Sequence, residues 1–194
     1  MLAAGPSSRL GEPKQLLRVE GISLLEHTVR QSLNAHCSPE LLIWGAHRER
    51  LRELVERLPI PNLHNPAWAE GISSSIRLGL RALLRKSPPD GVFLLVCDQP
   101  FISGPLLTEM RHRWEHTGQR IVACSYAGTL GTPVLFGKAY YPELLELKGQ
   151  AGPRSLLSLH REDISELPFP GGEIDIDTWK DYESLPLKYR TFMT

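Results

Sequence analysis

The chain is poor in features that would tie it to nucleic acid, membranes or metal-thiolate chemistry. Its 194 residues carry 22 Lys plus Arg against 22 Asp plus Glu, so no excess of either sign is available to attract a nucleic acid or an anionic membrane, and any anion site must be local. No apolar run approaches the roughly 20 residues of a membrane helix. The three cysteines, Cys37, Cys97 and Cys124, are odd in number and widely spaced, with no Cys-x-x-Cys pair. Cys97 and Cys124 fall in apolar stretches and are expected to pack as small hydrophobes in a reducing cytoplasm. The seven histidines are scattered and form no His-Glu-x-x-His set, and no Gly-x-Ser-x-Gly elbow surrounds any serine. Neither a Walker P-loop nor a Gly-x-Gly-x-x-Gly dinucleotide fingerprint occurs.

What is present is an alternation of apolar runs with helical patterns, as expected of parallel strands joined by crossover helices in one domain spanning 1–194. Leu41 to Trp44 and Val92 to Cys97 are continuous apolar runs, suited to strands buried on both faces. Leu51, Leu54, Val55 and Leu58 keep one helical face, as do Ile76, Leu80, Leu83 and Leu84 within a helix expected over 71–86. Further helices are expected over 105–117, 142–148 and 154–160, and strands over 120–125 and 133–136, with turns at 59–61 and 87–91. Only Met1 to Ala4 are available for a first strand, against about 5 to 6 residues in a mean strand, so the chain is expected to begin upstream of Met1.

The segment from Leu2 to Leu17 combines Gly5 and Gly11 with Arg9 and Lys14. Glycines permit backbone angles closed to other residues, and the amides of such a loop can point at anionic oxygens while two cations neutralise them. The other possibility is a solvated basic turn. Asp98, directly after a buried run, falls at the carboxyl edge of the sheet, where open α/β folds bind ligands. A carboxylate there can hold Mg2+, which prefers one or two protein carboxylates together with phosphate oxygens and water. Asp177 is the candidate second acid, because strand alternation over Glu173 to Asp177 would put Glu173, Asp175 and Asp177 on one side. Alternatively, Asp98 is a turn residue and Asp177 caps a helix over 179–185. Ser73, Ser74 and Ser75 open the 71–86 helix, where they either cap free amides or address the edge of a base, with Asn65 assisting.

Leu2-Ala-Ala-Gly-x-Ser-x-Arg9-x-Gly11-x-Pro-Lys14-Gln-Leu-Leu17 resembles the signature of the MobA-like nucleotidyltransferases. Its Ala-Ala-Gly form is similar to the molybdenum cofactor cytidylyltransferase branch, where the guanylyl branch has Leu-Ala-Gly-Gly. Four later segments agree in the same order: Asn65-Pro-x-Trp68-x-Glu70-Gly-Ile-Ser-Ser-Ser75, Cys97-Asp98-Gln-Pro100, Gly131-Thr-Pro-Val-Leu-Phe136 and Asp175-Ile-Asp177-Thr. The resemblance implies a Rossmann-like three-layer α/β sandwich with a mostly parallel central sheet, of the nucleotide-diphospho-sugar transferase type.

It also implies a reaction: CMP passes from CTP to the terminal phosphate of a molybdopterin-type cofactor, with release of pyrophosphate. Arg9, Lys14 and Asp98 would be catalytic. Leu2, Ala3, Ala4 and Gly5, with Arg9, Lys14, Asn65, Ser73, Ser74 and Ser75, would bind the nucleotide. Asp98 and Asp177 would hold Mg2+, and Gly131, Thr132 and Arg154 would face the acceptor; a target molybdoenzyme is the implied protein partner. For Gly131 and Thr132 the resemblance alone carries the role, since Gly-Thr-Pro also suits an ordinary turn. Arg154 could bind the acceptor's phosphate or simply be solvated. Related proteins tend to have Gly-Asp-x-Gly-Ala-Arg where this chain has Gln150 and Pro153, and a Pro-Glu pair where it has Trp179-Lys180. Another phosphorylated acceptor, such as a sugar phosphate, and a non-catalytic cofactor chaperone remain alternatives.

Overall fold

In the computed structural model, which describes residues 1–38, 40–85 and 88–189, β1 (Leu2–Ala3) leads into a loop and then a small antiparallel hairpin. Its strands are β2 (Arg18–Val19) and β3 (Ile22–Ser23). Helix α1 (Leu24–Asn34) starts there because the Ser23 hydroxyl accepts from the Glu26 amide while the Glu26 carboxylate accepts from the Ser23 amide. This capping box, Ser-x-x-Glu, contributes about 1 kcal/mol. β4 (Leu42–Trp44), α2 (Arg48–Arg57), β5 (Asn62–His64), α3 (Ile72–Leu84), β6 (Gly91–Leu94) and α4 (Gly104–Thr117) follow. A tight turn at Ala127 and Gly128, both with positive φ, joins β7 (Ile121–Tyr126) to β8 (Thr129–Gly137). The chain ends with α5 (Tyr141–Glu146), α6 (Pro153–Leu159), β9 (Ile164–Pro168) and α7 (Trp179–Ser184).

β1 lies parallel to β4, and β4 to β5. On its other side Leu2 forms a parallel bridge with Val96, and the Leu2 amide donates to the Leu95 carbonyl at 2.8 Å. That bridge joins the first group to a second of order β6-β8-β7-β9, in which β8 alone runs against the rest. The expected mostly parallel sheet is therefore present.

Strand alternation divides the core into two faces. Leu2, Ile43, Ile121, Ala123, Val134 and Phe136 pack with Ile76 and Leu80 of α3, Leu144 of α5 and Leu156 of α6. On the opposite face, Ala3, Leu42 and Trp44 meet Leu25 of α1 and Leu51 and Val55 of α2. Val122, Cys124 and Leu135 there meet Leu107 and Met110 of α4. This is the three-layer sandwich. Among the described residues no helix is long and apolar enough to cross a membrane.

Two expectations need correction, and two of the alternatives do not hold. The Val92–Cys97 run is a strand only to Leu94, and beyond it only Val96 bridges. Gly131 and Thr132 are not in a turn but inside β8, which starts at Thr129, with the Thr132–Pro133 peptide cis. Glu173 to Asp177 forms no strand: Glu173 lies in a turn, where the Ile174 amide bonds back to the Gly171 carbonyl, and beyond it a single backbone bond, from the Ile176 amide to the Asp98 carbonyl at 2.9 Å, ties the segment to the sheet edge. Asp177 caps nothing: Thr178 is the α7 cap, in a box with Asp181. Lys86 and Ser87, at the end of the expected helix and the start of the expected turn, lie outside the described residues.

Candidate functional site

At the carboxyl edge of the sheet the loop after β1 folds back on itself. Ser7 and Gly11 adopt positive φ, the amides of Leu10 and Gly11 both donate to the Ser7 carbonyl, and the Lys14 amide donates to the Ser7 hydroxyl at 3.0 Å. Gln15, fully buried, locks the return by donating from its side-chain amide to the Ala3 carbonyl at 2.8 Å and the Gly5 carbonyl at 3.3 Å. Sequence reasoning passed over Gln15 although it adjoins Lys14, because a buried amide with two backbone acceptors leaves no periodic signal.

This geometry turns Lys14 inward. Its ammonium donates to Asp98 Oδ2 and to Asp177 Oδ1, both at 2.8 Å, and Arg9 pairs with the other Asp177 oxygen at 2.5 Å. The Lys14 side chain is only 12% exposed, against 68% for Arg9. Burial opposes its charge, but the charge of Asp98 and the hydrogen bonds to Asp177 and Asp98 more than compensate, so its pKa is held above the ordinary lysine value. For Asp177, burial works against ionisation and the contacts from Lys14 and Arg9 overcome it, holding its pKa low. Asp177 reaches this position because Ile176 is buried among Leu10, Leu17, Leu24 and Leu185, which fastens the C-terminal segment to the loop.

The two carboxylates fit a hard divalent cation. Asp98 Oδ1 is buried with no hydrogen-bond partner, an oxygen donor left without a cation or proton to satisfy it. No group of three or more His, Cys, Asp or Glu able to hold a metal occurs among the described residues, so phosphate oxygens and water would have to complete the shell, as Mg2+ prefers. A third acid lies near: desolvation, then the charges of Asp98 and Asp177, push Asp175 up to about 6. The thiols take no part. Burial and the charge of Asp98 raise Cys97 to about 12, and burial alone raises Cys124 as far.

On the α3 side, Ser73, Ser74, Ser75 and Asn65 are all buried, and each side chain is engaged within the protein. The Asn65 amide donates to the hydroxyls of Ser74 and Ser75, each at 2.9 Å, and its carbonyl accepts from the Ala67 amide. Ser74 donates to the Gly71 carbonyl, and Arg77 donates to Ser73. Arg77 also reaches Glu70 and the Leu147 carbonyl, tying the start of α3 to the loop over 147–152.

On the remaining side, Gly131 admits a residue that sequence reasoning missed. A Cβ on Gly131 would stand 2.1 Å from the Tyr126 hydroxyl oxygen and 3.3 Å from Arg154 Nε, so Tyr126, Gly131 and Arg154 meet at one point. The side-chain amide of buried Gln99 approaches that hydroxyl at 3.5 Å and donates to the Gly172 carbonyl at 2.7 Å. Arg154 also favours ionisation of Asp175, linking this corner to the carboxylates. A large apolar cavity of about 880 Å3 opens around Leu41, Ile60 and Val92; Leu2 and Ser75 reach its wall, but Arg9, Lys14, Asp98, Asp177, Tyr126 and Arg154 do not.

The chain is similar to known proteins along most of its length. A model of the MobA-like NTP transferase domain family matches residues 1–164. The chain is 24% identical over 188 residues to the molybdenum cofactor cytidylyltransferase of Escherichia coli (strain K12), covering 96% of this chain and 94% of the relative. It is 26% identical over 192 residues to the purine catabolism protein PucB of Bacillus subtilis (strain 168), covering 94% and 92%. Among solved structures, that of Rv0371C from Mycobacterium tuberculosis H37Rv, in complex with manganese, superposes with a TM-score of 0.74 at 28% identity, covering 95% of this chain and 96% of that one. Asp177 lies beyond the span matched by the family model, yet the fold returns it to Lys14.

Proposed function

We propose, for a chain that belongs to the MobA-like NTP transferase domain family, that residues 1–194 form one catalytic domain moving CMP from CTP to the terminal phosphate of a molybdopterin-type cofactor. An oxygen of that phosphate attacks the α-phosphorus of CTP, the bond from that phosphorus to the bridging β-oxygen breaks, and pyrophosphate leaves with the electron pair. No general base is required, because a phosphate monoester is already ionised near neutral pH. The observation that carries this reading is the cluster of Arg9, Lys14, Asp98 and Asp177 at the sheet edge.

Arg9, Lys14 and the amides of the Ala4 to Ser8 loop hold the β- and γ-phosphates and the departing pyrophosphate. Leu2, Ala3, Ala4 and Gly5 give the nucleotide a backbone wall. Asn65 with Ser74 and Ser75, bonded to it, and Ser73, held by Arg77, shape the α3 entry where the base lies. Gly131, Thr132 and Arg154 face the acceptor. Asp98 and Asp177 would hold Mg2+, for which the manganese complex of the mycobacterial relative is a precedent. When bound, the ion would supply positive charge to offset that of the phosphate oxygens. The cytidylyl assignment draws support from the E. coli relative, and three free thiols suit a cytoplasmic setting. Delivery of the product to a target molybdoenzyme is compatible with catalysis.

A second reading keeps the transfer and changes the acceptor to another phosphorylated small molecule. Gln150 and Pro153, where related chains have acid and alanine, favour it, as does similarity to a protein named for purine catabolism. The deciding measurement is pyrophosphate release from CTP, GTP and ATP with Mg2+ and molybdenum-loaded molybdopterin, with Asp98→Ala as control. CTP-specific release lost in the variant is the expected result; nucleotide binding without release under any condition would reject transfer to this acceptor.

A further inference from the structure

An ammonium group has three donors, and Lys14 spends two of them bridging Asp98 and Asp177. With Arg9 on the remaining Asp177 oxygen, three of the four carboxylate oxygens are engaged by cations of the chain itself, and Asp98 Oδ1 alone is unspent. A divalent ion seeking both carboxylates therefore meets a cation already seated between them. The backbone beneath Lys14 is fastened independently, by its own amide to Ser7 and by Gln15 to Ala3 and Gly5. The Lys14 side chain can change partners about a fixed root, without loop movement.

We infer that Lys14 is the resident counter-ion of the carboxylate pair, withdrawn only when a triphosphate takes up its charge, so that nucleotide and divalent metal bind as a coupled pair. This rests on the nucleotidyltransferase reading for the identity of the triphosphate. In the nucleotide-free protein, metal entry must push an ammonium out of two 2.8 Å contacts that no phosphate is there to replace. With nucleotide present, the phosphates receive it. The coupling is reciprocal by linkage, and its scale should be that of ordinary coupled sites, about 5- to 150-fold.

The test is a Mn2+ titration of the nucleotide-free protein, followed by the paramagnetic resonance signal of the free ion. Lys14→Met should bind Mn2+ at least ~10-fold more tightly than wild type. Lys14→Arg, which keeps the charge, should stay within about twofold of wild type on the same scale. Lys14→Met combined with Asp98→Asn should lose the gain, which locates the tighter site at the pair. Should the methionine variant fail to fold, Lys14→Gln retains a polar group against both carboxylates and is read in the same way. Affinity in the neutral variant equal to or weaker than wild type overturns the inference. Because the titration involves neither nucleotide nor turnover, that result would leave the proposed reaction standing, whereas a wild-type protein that releases no pyrophosphate from any nucleotide, alongside tighter Mn2+ in Lys14→Met, would remove the reaction and keep the role of Lys14.

Discussion

The carbonyl of Gly149 lies against the α-carbon of Gly71: a Cβ on Gly71 would stand 2.3 Å from that oxygen. Gly71 has a φ of 111° and immediately precedes α3, so the contact fixes the start of this helix against the loop that leads to Arg154. Gly71→Ala meets backbone atoms that cannot step aside, in a conformation alanine resists, and should cost at least ~2 kcal/mol. Gly149→Ala, with positive φ but open space around it, should cost only about 1 kcal/mol. Urea denaturation of the two variants checks the order.

Asp98→Ala removes the Lys14 partner and the unsatisfied oxygen together. Turnover should fall by at least ~100-fold, the scale of losing a major electrostatic stabiliser. The pyrophosphate assay measures it, and near-normal turnover would rule out the assigned role.

At Gly131 an added methyl collides with the Tyr126 hydroxyl. Gly131→Ala should destabilise by about 1–3 kcal/mol through overpacking, and combining it with Tyr126→Phe, which deletes the offending oxygen, should recover part of the loss. Thermal unfolding of both single variants and the double variant gives the coupling.

Asp175 carries a pH signature. Its folded pKa is about 6, above the roughly 3.9 of an unfolded aspartate, so the folded state binds more protons between these values. Stability should therefore fall as pH rises from about 4 to 6. Asp175→Asn should flatten that slope and raise stability at pH 7 by about 1 kcal/mol after allowance for solvent screening, with little effect at pH 4. Melting curves across that range decide it; an equal gain at both pH values would point to something other than titration.

The sheet and most helices were legible in the sequence because their apolar periods were long enough to show. β4, α2, α3 and α4 came from such runs. α1 was passed over although Ser23-Leu-Leu-Glu26 is a capping-box signature, and β9 because its edge position leaves polar Ser165 and Glu166 among its apolar residues. Asp98 and Asp177 are legible as a pair, although the strand expected to carry Asp177 does not form; an irregular segment pinned by Ile176 does the same placing. What the sequence could not reveal was tertiary. Lys14, expected beside phosphate, lies between the acids, and the Tyr126 hydroxyl enters only because Gly131 has no side chain.

The ion cluster has a kinetic consequence. Two cations face two anions in Arg9, Lys14, Asp98 and Asp177, Arg154 offsets Asp175 nearby, and the whole chain carries 22 charges of each sign. A nucleotide approaching from more than a Debye length, about 10 Å at 0.1 M salt, meets a chain with no net charge to draw it in. Attraction begins only at contact, as the ammonium and guanidinium groups trade carboxylate for phosphate. Diffusional capture should accordingly lack electrostatic steering and depend little on ionic strength. Salt would instead act on how long the nucleotide stays, and stopped-flow association and dissociation rates at rising salt would display that division.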